Sequence, residues 1–372
     1  MAHRPAFSDG ILEFFADRDT RAVEIPVLQP ADPFLDTAGE DLRRRVFLTQ
    51  NELGDMLCLR PEFTIPVCLS HIETAAGTPQ RYSYLGEVFR QRRDGETEFY
   101  QAGIEDLGNE AFAEADARAV SEAIETLARL LPAGDLQVTL GDQTVFEAVV
   151  VALGLPEGWQ TRLIRAFGDA AQIDLLLQNL AGERRAAEGL DSDLAAFVGS
   201  GDMAGLTDLI DRRMHETGFL SNTSRGPAEI AERLVEKARL SATHLDPKAL
   251  DILKTFLALN ASLDEAGGSL AAFSRIAGID LSEALTLFES RVAALKDKGA
   301  RTDAIRYRAA FGRPLDYYTG LVFEISVRGS VLAGGGRFDR LLTLLGAPKP
   351  IPAVGFSLWL DRIETALDGG AS

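Results

Sequence analysis

The sequence predicts an α+β fold in which a mostly antiparallel sheet, flanked by helices, is interrupted by a helical insertion. Runs of apolar and β-branched residues bounded by Gly, Asp or Pro occur near both ends of the chain, a pattern typical of strands. Residues 143–298 carry Ala, Leu, Glu and Arg at helical spacing instead. Because the strand pattern returns after Gly299, we expect one discontinuous domain at 1–170 and 300–372, with the insertion at 171–299.

Individual elements follow from the local pattern. An amphipathic helix is expected at the amino terminus, where Phe7, Ile11 and Leu12 lie among charged residues. Strands are predicted at 45–49, 56–60, 82–89, 99–107 and 136–140, and again at 304–311, 321–327, 330–333 and 353–356. Further helices are predicted at 65–72, 111–131 and 358–367.

Composition and charge narrow the class of protein. The 372 residues are 46% hydrophobic, enough for one large core or two modest ones. The net charge of −18 would repel a polyanion, so we expect no nucleic-acid partner, although acidity for solubility explains the charge equally well. Cys58 and Cys68 have no cysteine or histidine partners at metal-ligand spacing, which predicts two buried thiols and no metal site.

Targeting signals are not evident in the sequence. The amino-terminal residues read as an amphipathic helix and not as a signal peptide. No apolar run approaches the ~18 residues of a membrane helix. We therefore expect a cytoplasmic protein without a membrane partner.

A set of polar side chains is embedded in apolar surroundings, and such groups need partners when buried. Its members are Glu62, Thr64, Arg90, Gln101, Glu105, Arg313, Tyr317 and Tyr318. They could pair with one another as an internal salt-bridge network. They could instead hold an amino acid, whose ammonium needs acceptors and whose carboxylate suits an arginine. The residues alone leave both interpretations open.

Four segments carry a resemblance to a known family. They are Leu59-Arg60-Pro61-Glu62-Phe63-Thr64, then Phe89-Arg90 with Gln101-Ala102-Gly103-Ile104-Glu105, then Arg313-Pro314-Leu315-Asp316-Tyr317-Tyr318-Thr319, and finally Gly335-Gly336-Arg337-Phe338-Asp339 with Val354-Gly355-Phe356 and Asp361-Arg362. In this order and spacing they resemble the histidine pocket of histidyl-tRNA synthetases, over roughly residues 40–110 and 305–365. The resemblance implies the fold of a class II aminoacyl-tRNA synthetase.

The resemblance also implies roles for the embedded polar residues. Glu62, Thr64 and Gln101 would hold the ammonium of a bound histidine, and Glu105 and Tyr318 its imidazole. Arg90 and Arg313 would face the carboxylate or a phosphate. By this comparison Tyr317 is a packing residue more than a contact. We expect Gly334, Gly335 and Gly336 to form a tight turn of the sheet near the pocket, in preference to a phosphate cradle.

Departures from the synthetase pattern concern the nucleotide. Arg92 stands where synthetases of this type carry a glutamate that helps to bind ATP and magnesium. Glu98 replaces a basic residue, and the loop between Arg90 and Gln101 is short. Arg362 remains where the closing motif has its arginine. We therefore expect the amino-acid half of the pocket to be retained and ATP binding to be weakened.

This combination resembles a second family, the regulatory subunits of ATP phosphoribosyltransferase. The sequence ends at Ser372, shortly after Arg362, where a synthetase would continue into a tRNA-binding domain. The resemblance implies a chain without its own catalysis or cofactor that forms homodimers and joins a short-form catalytic subunit in a hetero-octamer. That catalytic subunit would need the chain for activity, and histidine would act through the chain as the feedback effector.

Two other functions remain open from the sequence. The first is an ATP-dependent amino-acid activating enzyme of the histidyl-tRNA synthetase type, which would retain adenylate chemistry. The second is a dimeric scaffold with an empty, vestigial pocket. Amino-acid-dependent pyrophosphate exchange would identify the enzyme, and partner binding that ignores histidine would identify the scaffold.

Overall fold

The structure is a computed structural model that describes residues 3–37, 39–93, 95–182, 192–200, 202–216, 226–241, 245–313, 315 and 317–368. Two compact units are present. The first is Met1–Val149, Phe167–Asp169 and Phe256–Ser372, and the second is Val150–Ala166 and Ala170–Thr255. The predicted insertion shares residues 171–255 with the second unit. Residues 256–299 belong to the first unit, whose helices α5 and α14, defined below, pack together.

Every strand among the described residues lies in the first unit. They are β1 (Arg21–Ala22), β2 (Leu28–Pro30), β3 (Leu48–Gln50), β4 (Met56–Leu59), β5 (Gln80–Phe89), β6 (Glu98–Leu107), β7 (Gln137–Asp142), β8 (Asn260–Ser262), β9 (Ile305–Arg308), β10 (Leu321–Val327), β11 (Ser330–Arg337) and β12 (Ala353–Trp359).

The helices lie in both units. They are α1 (Ser8–Ala16), α2 (Asp32–Thr37), α3 (Gly39–Arg43), α4 (Thr64–Glu73), α5 (Phe112–Ala128), α6 (Gln143–Ala152), α7 (Glu157–Arg165), α8 (Ala170–Leu180), α9 (Ser192–Ser200), α10 (Met203–Glu216), α11 (Pro227–Ser241), α12 (Pro247–Leu257), α13 (Leu263–Ala277), α14 (Ser282–Asp297), α15 (Leu341–Leu344) and α16 (Leu360–Asp368). A short 3-10 helix spans Ala133–Asp135.

A large sheet forms the core of the first unit. Within the described residues it has nine strands in the order β1-β5-β6-β12-β11-β10-β7-β9-β8. The pairs β1–β5 and β7–β9 are parallel and the other neighbours are antiparallel. A second, three-stranded antiparallel sheet has the order β2-β4-β3. The predicted α+β architecture with a mostly antiparallel sheet is therefore confirmed.

Helix α5 shows how the sequence builds this core. Its Ala115, Ala119, Ala123 and Leu127 recur every four residues and are all buried, so they form one apolar face. The small alanine side chains let the helix lie close to its neighbours. The helix packs against strands β11 and β12 and against helix α14, and it covers one face of the sheet.

The expected turn at Gly334 to Gly336 is wrong. All three glycines lie inside β11, which pairs with β10 on one side and β12 on the other. A side chain at Gly335 would overlap the backbone carbonyl oxygen of Gly355. The glycines are thus required by close packing in the middle of the sheet and not by a turn.

The second unit is helical in its described part. Helices α10 and α11 pack through buried Leu206, Ile210, Ala231 and Val235, with Phe197 of α9 against the same cluster. Among the residues that the structure describes, no helix is both long and apolar enough to cross a membrane.

Candidate functional site

The floor of the candidate site is one face of the large sheet. Gln101 and Glu105 are four residues apart on β6, so their side chains point to the same face. The strand register places Glu105 opposite Gly355 of β12, and Gly355 opposite Gly336 of β11. A side chain at Gly355 would overlap the Glu105 carboxylate. The glycines therefore leave room on this face for the long polar side chains of neighbouring strands.

These side chains surround a cavity of about 120 Å³. All eight residues predicted from the sequence line it: Glu62, Thr64, Arg90, Gln101, Glu105, Arg313, Tyr317 and Tyr318. The other lining residues are Asp41, Leu42, Arg45, Leu315, Gly334, Phe338, Gly355, Phe356, Ser357 and Trp359. At 10–15 Å³ per water the cavity has room for roughly ten water-sized atoms, the size of a free amino acid.

Glu62 and Thr64 are positioned by the beginning of helix α4. The Glu62 carboxylate accepts hydrogen bonds from the backbone N–H groups of Thr64, at 2.6 Å, and Ile65, at 2.9 Å. It thereby satisfies two of the N–H groups that a helix leaves unpaired at its first turn. Burial raises the pKa of Glu62, and these two backbone hydrogen bonds oppose that effect.

Glu105 is a carboxyl group of the cavity with a strongly raised pKa. Burial raises its pKa to about 8, although the Thr64 hydroxyl donates a hydrogen bond to its Oε1 at 2.7 Å. Its Oε2 is buried and has no hydrogen-bond partner, and the same holds for Oε1 of Gln101. Two polar atoms at the cavity wall are therefore unsatisfied, and a buried polar atom in this state is unfavourable by about 1–3 kcal/mol.

Arg90 and Arg313 bring positive charge to the cavity. The Arg90 Nε donates to the carbonyl oxygen of Pro61 at 2.7 Å, and burial lowers the pKa of Arg90 to about 10. Arg313 Nη1 donates to Glu324 at 2.7 Å, while its Nε has no partner. The Arg313 guanidinium lies directly against Gly334, so a Cβ at that position would overlap it.

Tyr317 and Tyr318 complete the wall. Their ring centroids are 5.1 Å apart, and Tyr317 also packs against Phe338. Burial raises the pKa of Tyr318 to about 12, and the neighbouring Arg313 opposes that effect. Both phenols therefore stay protonated and can donate hydrogen bonds at neutral pH.

Sequence reasoning missed three contributors to this face. Tyr84 stacks on Phe63 at 4.4 Å and its hydroxyl lies 2.8 Å from Ser357 Oγ. Ser357 and Trp359 line the cavity from β12. The missed signal is the alternation of β12, because residues 355, 357 and 359 share one face of that strand, and only Gly355 was singled out.

The two basic residues that bear on nucleotide binding are engaged by the protein itself. Arg92 Nη1 donates to Asp361 at 3.2 Å, and its guanidinium lies 3.8 Å from the centre of the Phe99 ring. Arg362 donates to the carbonyl oxygen of Val331 at 2.9 Å and lies 5.0 Å from the centre of the Trp359 ring.

Comparison with known proteins identifies the family. The profile of the histidyl-tRNA synthetase family matches residues 3–216 and 228–363. An Allorhizobium ampelinum protein named ATP phosphoribosyltransferase regulatory subunit is 61% identical over 368 residues, which cover 98% of this chain and 99% of that protein. The chain belongs to the family of ATP phosphoribosyltransferase regulatory subunits. A family member of the same name from Agrobacterium fabrum is also 61% identical, over 97% of this chain and 96% of its own length.

A solved structure supports the fold of this regulatory-subunit family independently. The Bacillus halodurans protein titled ATP phosphoribosyltransferase regulatory subunit/histidyl-tRNA synthetase superposes with a TM-score of 0.65, at 20% identity. The match covers 97% of this chain and 78% of that one. The expected class II synthetase-like fold is therefore confirmed.

The charged residues of the cavity do not pair with one another. Among its eight predicted residues, neither Arg90 nor Arg313 forms an ion pair with Glu62 or Glu105: Arg90 bonds to a backbone carbonyl and Arg313 to Glu324. An internal salt-bridge network, the alternative left open by the sequence, is thus not what these residues form. Gln101 Oε1, Glu105 Oε2 and Arg313 Nε remain without a hydrogen-bond partner.

Proposed function

We propose that this chain is the regulatory subunit of ATP phosphoribosyltransferase, that it binds histidine in the cavity, and that it has no catalysis of its own. The observation that carries the proposal is the convergence of all eight predicted residues on one cavity with unsatisfied polar atoms. The relatives named ATP phosphoribosyltransferase regulatory subunit, at 61% identity over nearly the whole chain, support the same function.

Each part of histidine has a chemical counterpart in the cavity. Gln101 and Glu62 supply acceptors for the ammonium, with the Thr64 hydroxyl beside them. The carboxylate would accept a hydrogen bond from the unpaired Nε–H of Arg313, with Arg90 nearby. One imidazole nitrogen would hydrogen-bond to the unpaired Oε2 of Glu105, and the other nitrogen to the Tyr318 phenol. These assignments leave Tyr317 as a packing residue against Phe338.

The surroundings of the cavity favour histidine without ATP. Arg92 is neutralised by Asp361 and stacks on Phe99, and Arg362 stacks on Trp359. Binding a triphosphate here would require these contacts to open. Position 92 is an arginine and cannot supply the carboxylate that a magnesium ion would need. Adenylate chemistry is therefore disfavoured.

Regulation follows as a coupling free energy between two sites. The short-form catalytic subunit would bind one arrangement of this chain better than another, and histidine would shift the balance toward the less active one. The coupling is reciprocal, so the catalytic subunit must also change the affinity for histidine. We propose a hetero-octamer of the two chains in the cytoplasm.

Homodimers of this chain are proposed from the three-stranded sheet. Leu28 of β2 pairs with Leu59 of β4, and Pro30 with Leu57, so these four side chains lie on one face. Leu28 is 53% exposed. Exposed Leu48 and Met56 lie on the opposite face of the same small sheet, and exposed Val27 and Leu53 flank its strands in the chain. Exposed apolar side chains concentrated on and beside one small sheet mark an interaction surface, and we assign it to a second copy of the chain.

Calorimetric titration of the isolated chain with histidine tests the proposal. We expect saturable binding without ATP, and weak or no binding of histidinol, which lacks the carboxylate that Arg313 would hold. Pyrophosphate exchange is measured in parallel. Exchange that depends on histidine would replace the regulatory function by the activating enzyme, and partner binding that is indifferent to histidine would favour the scaffold.

A further inference from the structure

A second cavity lies elsewhere in the first unit and shares no residue with the histidine cavity. It measures about 370 Å³ and is bounded by α5, the 3-10 helix, β7 and the loop between α14 and β9. Its lining residues are Ser121, Ile124, Glu125, Ala133, Gly134, Leu136, Val138, Lys298, Gly299, Ala300, Arg301, Ala304 and Ile305. Its volume lies within the range of small-molecule sites, roughly 300–1,000 Å³.

The walls are mostly apolar. Val138 and Ile305 are neighbours in the parallel pair β7–β9, and both are buried. Ile124 and Leu136 add to the apolar surface. Alanine and glycine occupy much of the remaining wall, and these short residues leave the space between α5 and the end of α14 unfilled.

One buried hydroxyl on this wall lacks a partner. Ser121 is only 6% exposed, and its Oγ has no hydrogen bond. A serine within a helix commonly bonds to a carbonyl of the preceding turn, as Thr126 of the same helix does with Glu122. The Ser121 hydroxyl therefore has no partner within the protein, and a molecule in the cavity that paired with it would remove an unfavourable buried group.

The charged residues at the cavity are largely compensated. Glu125 pairs with Arg18, and Arg301 pairs with Asp303 at 2.9 Å. Lys298 is exposed to water at the edge. An ion would gain little from such surroundings, whereas a flat apolar body could cover Val138 and Ile305.

We propose that this cavity is a second ligand site, for a small uncharged aromatic molecule with one hydrogen-bonding group that pairs with Ser121. Indole is a suitable probe, because its N–H can donate to the Ser121 hydroxyl. Indene has the same shape without the N–H and serves as the matched ligand.

Calorimetry on the full chain tests this site with four variants. Ser121→Ala removes the hydroxyl, and Gly134→Phe is designed to fill the cavity; a Cβ at Gly134 meets no atom within 4 Å, so a side chain can begin there without a clash. Gly77→Phe is the control, since Gly77 has the same open surroundings outside the cavity. Ala304→Phe fills the cavity from another wall and replaces Gly134→Phe if that variant melts early.

Indole is expected to bind the unaltered chain and Gly77→Phe equally, and indene about fivefold more weakly. Ser121→Ala should lose this fivefold preference for indole, and the filling variants should lose both ligands. Absence of indole binding at millimolar concentration would overturn the proposal. So would binding that the filling variants leave unchanged, because the probe would then lie elsewhere.

Discussion

At the scale of single residues, Glu105 is the group expected to set the pH dependence of histidine binding. It is a buried carboxyl group with a pKa of about 8 and one oxygen without a partner. It therefore carries a proton at neutral pH while the cavity is empty. An imidazole entering the cavity can take that proton, and the resulting carboxylate and imidazolium would then stabilise each other in a site of low dielectric constant.

Histidine affinity is expected to be greatest between pH ~6.5 and ~8. In this window free histidine has a neutral imidazole, since its ordinary pKa is about 6.5, and Glu105 supplies the one proton that the complex holds. Below the window both partners are protonated, and one proton must be released on binding. Above it neither is protonated, and one must be taken up. Calorimetry across the window and about one pH unit beyond should show about tenfold weakening per unit on each side.

Glu105→Gln is the control for this pH dependence. The amide does not titrate, so the variant should bind histidine more weakly and lose the decline on the alkaline side. An affinity that is flat with pH in the unaltered chain would contradict the role given to Glu105. The same holds if the variant keeps the alkaline decline.

Gly334→Ala is expected to weaken histidine binding about tenfold without lowering the melting temperature. The three atoms nearest to the new Cβ all belong to the Arg313 guanidinium, which is the far end of a flexible side chain and can move away. The substitution would therefore displace the Arg313 guanidinium and leave the backbone of β11 unchanged. Affinity by calorimetry and melting by circular dichroism measure the two effects separately.

Gly335→Ala is the matched control on the next residue. Its Cβ would overlap backbone and Cβ atoms of β12, including the Gly355 carbonyl oxygen, so we expect a lower melting temperature. If Gly334→Ala were destabilised as strongly as Gly335→Ala, or bound histidine normally, Arg313 would not be the group that holds the carboxylate.

At the scale of elements, a buried ion cluster joins the sheet to two helices. Asp116 of α5 accepts hydrogen bonds from Arg291 of α14 at 2.6 Å and from Arg337 of β11 at 2.8 Å. Arg291 also donates to Asp142 at the end of β7, at 2.5 Å. The side chains of Asp116, Arg291 and Arg337 are at most 2% exposed. The cluster fixes α5 and α14 against the strand that carries Gly334.

Asp116→Asn is expected to lower the free energy of unfolding by about 3–5 kcal/mol, because two buried guanidiniums lose a shared counter-charge. Denaturant unfolding monitored by circular dichroism measures the change. Asp303→Asn is the control, since its pair with Arg301 is exposed, and we expect no measurable effect there. Equal stability of Asp116→Asn and the unaltered chain would show that the cluster does not hold these elements together.

Long elements with a clear period could be predicted from the sequence. Strands β5 and β6 begin and end within two residues of their predicted positions, and α5 was expected at 111–131 and spans Phe112–Ala128. The short strand β8, Asn260–Ser262, was not predicted. Its three residues fall inside a long helical pattern, and their pairing with β9 depends on residues far along the chain.

The residues that line the cavity could be predicted because polar side chains within apolar stretches are rare, and their donors and acceptors indicate which groups they could bind. The need for glycine at Gly335 and Gly355 could not be predicted, since it comes from strands that the register brings alongside. The partners of Arg92 and Arg313, which are Asp361 and Glu324, were hidden for the same reason. Both lie on elements separated from them in sequence.

At the scale of the whole molecule, the three-stranded sheet is proposed as the surface of the homodimer. Leu28→Asp would place a charge on its apolar face, and desolvating that charge would oppose association. Sedimentation velocity should give about twice 40.2 kDa for the unaltered chain and the monomer for the variant. Leu344→Asp, at a leucine 63% exposed outside this sheet, should leave the dimer intact. A dimer that survives Leu28→Asp would move the interface elsewhere.

We propose that histidine binding in the cavity controls the activity of an attached enzyme. The most direct measurement is the rate of phosphoribosyl-ATP formation by a short-form ATP phosphoribosyltransferase catalytic subunit, with and without this chain, as histidine is added. We expect the chain to stimulate the rate and histidine to abolish the stimulation, with Glu105→Gln requiring at least about tenfold more histidine. Stimulation that histidine leaves unchanged, or inhibition that Glu105→Gln does not weaken, would contradict the account.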